Sequence, residues 1–145
     1  MRERDAQSKS LMQRIRVSGT TPELKVRSKL HRMGLRFRCN RRDLPGKPDI
    51  VLPRHRLAIF VHGCFWHGCA QCDRGLRLPK TNAEFWAQKR SSNIARDEAV
   101  SVQLKDAGWK ILVVWECVTR KEECLDAFLA EVLSYILRQD DAADR

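Results

Sequence analysis

The sequence predicts an α/β protein with a mixed β-sheet flanked by helices, and three patterns support this class. Two apolar, partly β-branched runs, Leu57–Val61 and Trp109–Trp115, have the composition of buried strands. From Glu122 onward, apolar residues recur at helical spacing, as in an amphipathic helix that packs on a sheet. Helix and strand patterns alternate along the 145 residues, which is typical of one α/β domain.

The N-terminal third predicts a basic arm, a helix and a strand. Residues 1–20 are polar and basic, and their few apolar side chains either dock on the core or lie along DNA. Thr20–Glu23 combines a hydroxyl cap, Pro22 and an early acid, so a helix should start there and end at Gly34. The alternation in Leu35–Cys39 predicts a half-buried strand.

The middle of the chain predicts an antiparallel hairpin. Asp49–Leu52 and Leu57–Val61 read as two short strands, and Pro53–Arg56 as the turn between them. The start of the first strand and the end of the second are neighbours in a hairpin. We therefore expect Asp49 to lie beside His62.

After a Cys- and His-containing loop over residues 63–80, the pattern predicts two helices, a central strand and a closing helix. Asn82 should cap a helix through Phe85–Trp86, and a second helix should run from about residue 93 to residue 107. Trp109–Trp115 is the most apolar run and predicts the central strand. The pattern therefore divides the chain into a basic arm over residues 1–20, a single domain over 21–138 and an acidic tail over 139–145 that should be disordered.

The net charge of +10 and the pI of about 9.8 favour a polyanionic partner, most often nucleic acid, although the excess charge could serve only solubility. Basic residues crowd the first third of the chain. No apolar run approaches a membrane span, and the N-terminus lacks a signal-peptide pattern. We therefore expect a cytoplasmic, nucleoid-associated protein with no membrane partner.

A cysteine cluster predicts a structural zinc site. Cys64, Cys69 and Cys72 are close in sequence, and the last two have the spacing of a zinc-knuckle half-site. Cys117, just past the central strand, is the best fourth ligand. The alternative for the CxxC pair is a thioredoxin-like redox motif, which expects a helix directly after its first cysteine; Gln71 and the nearby Cys64 argue against it.

A carboxylate and two imidazoles predict a hydrolytic site at the end of the hairpin. Each of Asp49, His62 and His67 alone would be an ordinary turn or core residue. Together, a carboxylate can hold a hard divalent cation and a neutral imidazole can accept a proton from water. This combination suits hydrolysis of a phosphodiester.

Two adjacent aromatics, Phe65 and Trp66, lie in a polar loop that cannot easily bury both. They either form a small core around the zinc or act as a wedge between stacked bases that kinks the duplex.

The chain resembles the Vsr-type very short patch repair endonucleases, which nick DNA beside the T of a T:G mismatch. The most specific motif is His62-Gly63-Cys64-Phe65-Trp66-His67. The other matching segments extend over nearly the whole chain: Met12–Arg16, Thr20–Glu23, Leu44–Asp49, Glu84–Trp86, Asn93 with Arg96–Asp97, and Gly108–Cys117.

This resemblance implies a restriction-endonuclease-like fold, a structural zinc and a catalytic magnesium ion. Asp49 matches the magnesium-binding aspartate, and Val61 occupies the position that offers a main-chain carbonyl to the metal. His67 matches the general base and His62 the second catalytic imidazole. Glu23 matches an acid that organises the water around the metal.

Three further residues, Phe65, Trp66 and Met12, match those that intercalate beside the mismatch. There are also departures from the family. No second acid and lysine follow on the strand Leu57–Val61, where restriction-like nucleases usually carry them, and the histidines stand in. Cys69 replaces a frequent histidine, which gives an all-cysteine zinc site. Gly19 replaces a common aspartate.

The leading hypothesis is a magnesium-dependent endonuclease that nicks the T-containing strand next to a T:G mismatch in double-stranded DNA. We expect a monomer, since a nickase needs no second subunit, and mismatch-repair proteins are candidate partners. One alternative is a non-catalytic, zinc-stabilised DNA-binding module, which leaves Asp49 and the two histidines unexplained. The other is a general restriction-type nuclease, which would also cut matched duplexes.

Overall fold

A mixed four-stranded sheet forms the centre of the protein in a computed structural model, which describes residues 20–67, 69, 72 and 80–143. In spatial order the strands are β1 (Arg38–Cys39), β2 (Ile50–Leu52), β3 (Leu57–His62) and β4 (Lys110–Trp115). The first three are antiparallel neighbours, and β4 runs parallel to β3. The predicted mixed α/β class is confirmed, whereas the Met12 arm lies outside the described residues.

Helices connect and cover these strands. They are α1 (Thr21–Arg32), α2 (Cys64–His67), α3 (Ala83–Asp106), α4 (Glu116–Arg120) and α5 (Glu122–Ala143). Within the described ranges, none of them is long and apolar enough to cross a membrane.

The hairpin forms as the sequence predicts. Ile50 pairs with Ile59, and Leu52 pairs with Leu57 across a short 3-10 turn, Pro53–His55. Arg56 closes the turn in the left-handed region, at φ 48°. Because Asp49 directly precedes β2, this register carries it to the carboxyl end of β3.

One face of the sheet carries the main hydrophobic core. Successive strand residues point to opposite faces, so alternate positions of β2, β3 and β4 face the same side. Val26 and Leu30 of α1 and a helical stripe on α5 cover this side, as the apolar spacing after Glu122 predicts. The buried set is Val26, Leu30, Ile50, Leu52, Leu57, Ile59, Leu112, Val114, Leu125, Phe128, Leu129, Val132 and Ile136. This packing fixes the strand ends that carry the polar side chains.

The first strand is shorter than predicted. Only Arg38–Cys39 is extended and paired, although Leu35 and Phe37 still pack against the core. Cys39 is exposed because β1 is an edge strand, and Cys124 is exposed on α5. Neither thiol belongs to the core.

Two predicted helix boundaries differ from the structure. Residues 83–106 form one continuous helix instead of two, because the segment around Ser91-Ser92 contains neither glycine nor proline to interrupt it. Helix α5 continues to Ala143 and so includes most of the segment 139–145 that was predicted as a disordered tail. That segment too lacks glycine and proline.

Candidate functional site

Asp49 lies where β2 begins, and its carboxylate contacts the end of β3. Its Oδ2 accepts a hydrogen bond from the Val61 backbone N–H at 2.7 Å. In an extended strand, the N–H and C=O of one residue point to the same edge, so the Val61 carbonyl lies on the Asp49 side of β3. Two oxygen donors therefore share one corner of the sheet.

A second acid from α1 lies near Asp49. Glu23 is 1% exposed, and its N–H is bound by the Thr20 hydroxyl that caps the helix. Arg27, one helical turn later, forms an ion pair with Glu23. The capping sequence that starts α1 thus also fixes this acid at the site.

Burial raises the pKa of Asp49 to about 6; the charge of Glu23 raises it as well, while the Val61 N–H, His67 and Arg27 lower it. An ionised carboxylate is disfavoured in this surrounding unless a cation is bound. A carboxylate, a main-chain carbonyl and a second acid are oxygen donors of the kind that hard divalent cations prefer. The residues present therefore fit a magnesium ion.

His62 and His67 form a stacked pair at the end of β3. Their ring centroids are 3.9 Å apart and their planes differ by 6°. His67 ends α2, and its Nδ1 lies 2.6 Å from Oδ2 of Asp97 on α3. Both imidazoles border a cavity of about 440 Å³ that Trp115 also lines, so water can reach them.

The two histidines differ in their surroundings. His62 is 7% exposed, and its ring meets that of Trp115 in a T-shaped contact. Burial lowers the pKa of His62 to about 4, the neighbouring His67 lowers it too, and Asp97 opposes this change. His62 is therefore neutral near pH 7, while the Asp97 carboxylate fixes the orientation of the His67 ring.

The four cysteines predicted to bind zinc lie together. The sulfur atoms of Cys64, Cys69, Cys72 and Cys117 are all within 4.8 Å of one another. The Cys69 and Cys117 sulfurs are 3.8 Å apart, close to the ~3.8 Å edge of a tetrahedron with zinc–sulfur bonds of about 2.3 Å. Burial raises the pKa of the Cys64 and Cys117 thiols, so they stay protonated unless a cation stabilises the thiolates. This donor set fits zinc.

An aromatic cluster lies beside the imidazoles. The Phe65 and Trp86 rings meet edge to face at 5.7 Å, and Phe85, 56% exposed, packs against Trp86. Arg90 donates from Nε to the Phe65 carbonyl at 2.9 Å and covers the Phe65 ring. The other two residues that the resemblance implies for intercalation, Met12 and the side chain of Trp66, lie outside the described residues.

Sequence reasoning assigned no role to Trp86, Arg90 and Asp97, although α3 brings all three to this site. With Asn93, they are spaced by four, three and four residues, which places them on one face of a helix. Dividing residues 83–106 into two helices hid this stripe. Reading the segment as one helix would have revealed it.

Known proteins match most of the chain. Residues 3–74 match the family model of the DNA mismatch endonuclease Vsr. The chain is 48% identical over 123 residues to the type II nicking enzyme V.XorIIP of Xanthomonas oryzae, covering 85% of this chain and 89% of that protein. It is 40% identical over 123 residues to the DNA mismatch endonuclease Vsr of Escherichia coli K12, covering 84% of this chain and 78% of that one.

A further relative, the type II nicking enzyme V.NmeAIP of Neisseria meningitidis, is 38% identical over 129 residues, which cover 89% of this chain and 88% of that protein. The sheet-end acid, the paired imidazoles and the cysteine cluster all lie within segments that resemble this family. The chain therefore belongs to the Vsr family of DNA mismatch endonucleases.

Proposed function

We propose that this endonuclease nicks the T-containing strand next to a T:G mismatch in double-stranded DNA and requires magnesium. The observation that carries the proposal is that the Asp49 carboxylate, bound to the Val61 N–H, and the His67–Asp97 pair lie at the same end of β3. Family membership supplies the reaction class, and the mismatch enzyme of Escherichia coli is among the relatives. Within that class, the donor sets support the choice of metal and base.

Asp49 and the Val61 carbonyl would hold the magnesium ion, with Glu23 organising the water around it. When bound, the ion supplies positive charge that stabilises the charge developing on the phosphate. Asp49 is held for this task by the Val61 N–H, which fixes its carboxylate before any ion arrives. This arrangement supports the roles of these three residues.

His67 accepts the proton of the attacking water. Its Nδ1 faces Asp97, so a proton on Nδ1 leaves Nε2 free as the base. The hydrogen bond to Asp97 stabilises the imidazolium that forms. His62, kept neutral by burial, stacks on the His67 ring and limits its rotation.

We assign mismatch recognition to the side chains that the resemblance implies for intercalation. Phe65 lies two residues before His67 on α2. A Phe65 ring inserted beside the mismatch would therefore place the neighbouring phosphate near the His67 imidazole. We propose Phe65, Trp66 and Met12 as the intercalating residues. Opening a mismatched step costs less than opening a paired one, which favours cutting at the mismatch.

The cysteine cluster, with zinc bound, would serve structure and not chemistry. A four-thiolate site leaves no open position for a substrate. Cys117 follows β4, and Cys64 follows β3, so the ion would tie α2 to the end of the sheet. Zinc bound in this way would hold His67 and Phe65, which lie on α2, in position.

A nicking assay tests the proposal. Duplexes that carry one T:G mismatch or are fully matched are incubated with magnesium or without added divalent cation. We expect one nick, in the T strand of the mismatched duplex and only with magnesium. Cutting of both duplexes would indicate a general nuclease, and binding without any cutting would indicate a non-catalytic DNA-binding module.

A matched pair of variants tests the base. Asp97→Asn should lower the nicking rate by roughly 10²- to 10³-fold, because an amide stabilises an imidazolium poorly. Asp106→Asn removes the same charge from an exposed position of α3 outside the cavity and should change the rate less than about threefold. Equal losses in both variants would refute the role of Asp97.

A further inference from the structure

Arg27 places a guanidinium beside the acids of the candidate metal site. Its Nη2 donates to Oε1 of Glu23, one helical turn earlier on α1. Arg27 also hydrogen-bonds to Cys39 on β1, and the strand partner of Cys39 is Ile50, the residue after Asp49. The proposed mechanism makes no use of Arg27.

The Arg27 Nε is a buried donor without a hydrogen-bond partner among the described residues. Buried N–H groups are nearly always paired, because an unpaired one costs a large part of its lost hydration. The side chain as a whole is 21% exposed, whereas that of Glu23 is 2% exposed. Arg27 is therefore the more accessible member of the pair.

Neutralising Glu23 explains only part of this arrangement. The ion pair with Glu23 accounts for Nη2, and a further hydrogen bond links Arg27 to the Cys39 thiol, but Nε has no partner among the described residues. A phosphate brought to Asp49 also meets two carboxylates, which repel it. A guanidinium beside both acids offsets this repulsion, and its planar donors suit phosphate oxygens.

We propose that Arg27 contacts the substrate directly, and that its guanidinium binds a non-bridging oxygen of the phosphate at the cleaved position. This inference rests on the proposed function, since it uses the same corner of the sheet. It adds a DNA-contacting residue on α1 to those of the hairpin and α2. The contact would use the exposed part of the side chain, because Nε itself is buried.

A binding cycle without hydrolysis tests this contact. The affinity of wild type and Arg27→Gln is measured, without added divalent cation, for two mismatched duplexes. One has a normal phosphate at the mapped nick position, and the other has an uncharged methylphosphonate there. We expect Arg27→Gln to weaken binding to the normal duplex about tenfold and to the methylphosphonate duplex less than twofold.

Two further variants isolate the contact. Lys29→Gln removes the same charge from the same helix, but Lys29 pairs with Glu122 and Asp126 on α5. Lys29→Gln should therefore change the binding affinity by the same factor for both duplexes. Arg27→Lys should restore part of the difference, because it keeps the charge but loses the planar donors. Thermal unfolding of each variant shows whether it is folded in the assay.

An equal loss for Arg27→Gln on both duplexes would overturn the inference and leave Arg27 as a structural partner of Glu23 and Cys39. This outcome is distinct from failure of the proposed function. If wild type nicks the T:G duplex but the cycle shows no coupling, only the Arg27 contact is wrong. If wild type never nicks, the proposed function is wrong whatever the cycle shows.

Discussion

Burial shifts the pKa values of Asp49 and His62 in opposite directions. It raises the pKa of Asp49 to about 6 and lowers that of His62 to about 4. Both shifts favour the uncharged form, as expected where water is excluded. Without a cation, the site therefore holds an ionised Asp49 at a cost in stability. Two experiments at the residue scale test this account of Asp49.

Asp49→Asn should abolish nicking and yet stabilise the fold. The folded pKa of Asp49 is raised above its unfolded value, so the carboxylate ionised at pH 7 destabilises the native state. The neutral amide removes this cost and can still accept from the Val61 N–H, which should add ~1–3 kcal/mol to the free energy of unfolding. Urea denaturation at pH 7 without added magnesium measures it. Asp43→Asn, at an exposed carboxylate, should give no gain, and equal effects would contradict the account.

The magnesium requirement should rise as the pH falls. A proton and a cation compete for the Asp49 carboxylate, and a pKa of about 6 leaves this group mostly ionised at pH 7 and mostly protonated at pH 5. The magnesium concentration for half-maximal nicking should increase about tenfold between these values. A requirement that stays constant across this range would show that Asp49 does not bind the ion.

At the scale of elements, a glycine contact links the loop before β2 to α3. A Cβ on Gly46 would lie 2.3 Å from Cγ1 of Val100, which is one turn beyond Asp97 on α3. Gly46 is three residues before Asp49. The close approach therefore links the segment that carries Asp49 to the helix that carries Asp97.

Gly46→Ala should lower both stability and nicking because the new methyl group pushes Val100 away. Gly34→Ala is the matched control, since Gly34 has a similar positive φ, +76° against +72°, but no atom within 4 Å of its Cβ position. We expect Gly46→Ala to cost ~1–3 kcal/mol more than Gly34→Ala in urea denaturation. Adding Val100→Ala should recover part of that difference, and failure to recover any would show that Val100 is not the obstacle.

At the scale of the whole molecule, the cysteine cluster joins segments that are far apart in sequence. Cys64, Cys69 and Cys72 come from the region after β3, and Cys117 from α4 after β4. The backbone N–H of Cys117 also donates to the Cys64 sulfur at 3.3 Å. An ion bound there would hold α2 against the sheet.

Cys117→Ser should lower zinc content and destabilise the protein by several kcal/mol, since the free energy of structural zinc binding contributes to folding. Cys124→Ser changes an exposed thiol on α5 outside the cluster and should alter stability by less than ~0.5 kcal/mol. Atomic absorption gives the zinc content, and thermal unfolding gives the stability. Full zinc content in Cys117→Ser would remove this residue from the ligand set.

The sequence by itself determined the fold class, the hairpin and the identity of the four clustered cysteines. These features depend on local patterns: apolar runs of strand length, turn residues between them, and thiols at metal-ligand spacing. The hairpin alone predicted that Asp49 lies beside the end of β3, because the register of a hairpin determines which strand ends are neighbours. The roles of Val61, Glu23 and Met12 came from resemblance and stay predictions.

Only the tertiary structure decided which distant side chains complete the site. Asp97 is 30 residues from His67 in sequence, and no local pattern reports the packing of α3 on α2 that brings their atoms to 2.6 Å. Arg27 on α1 comes close enough to Asp49 to influence its pKa for the same reason. Local spacing determines which face of a helix a side chain is on, but the buried contacts between elements determine what that face meets.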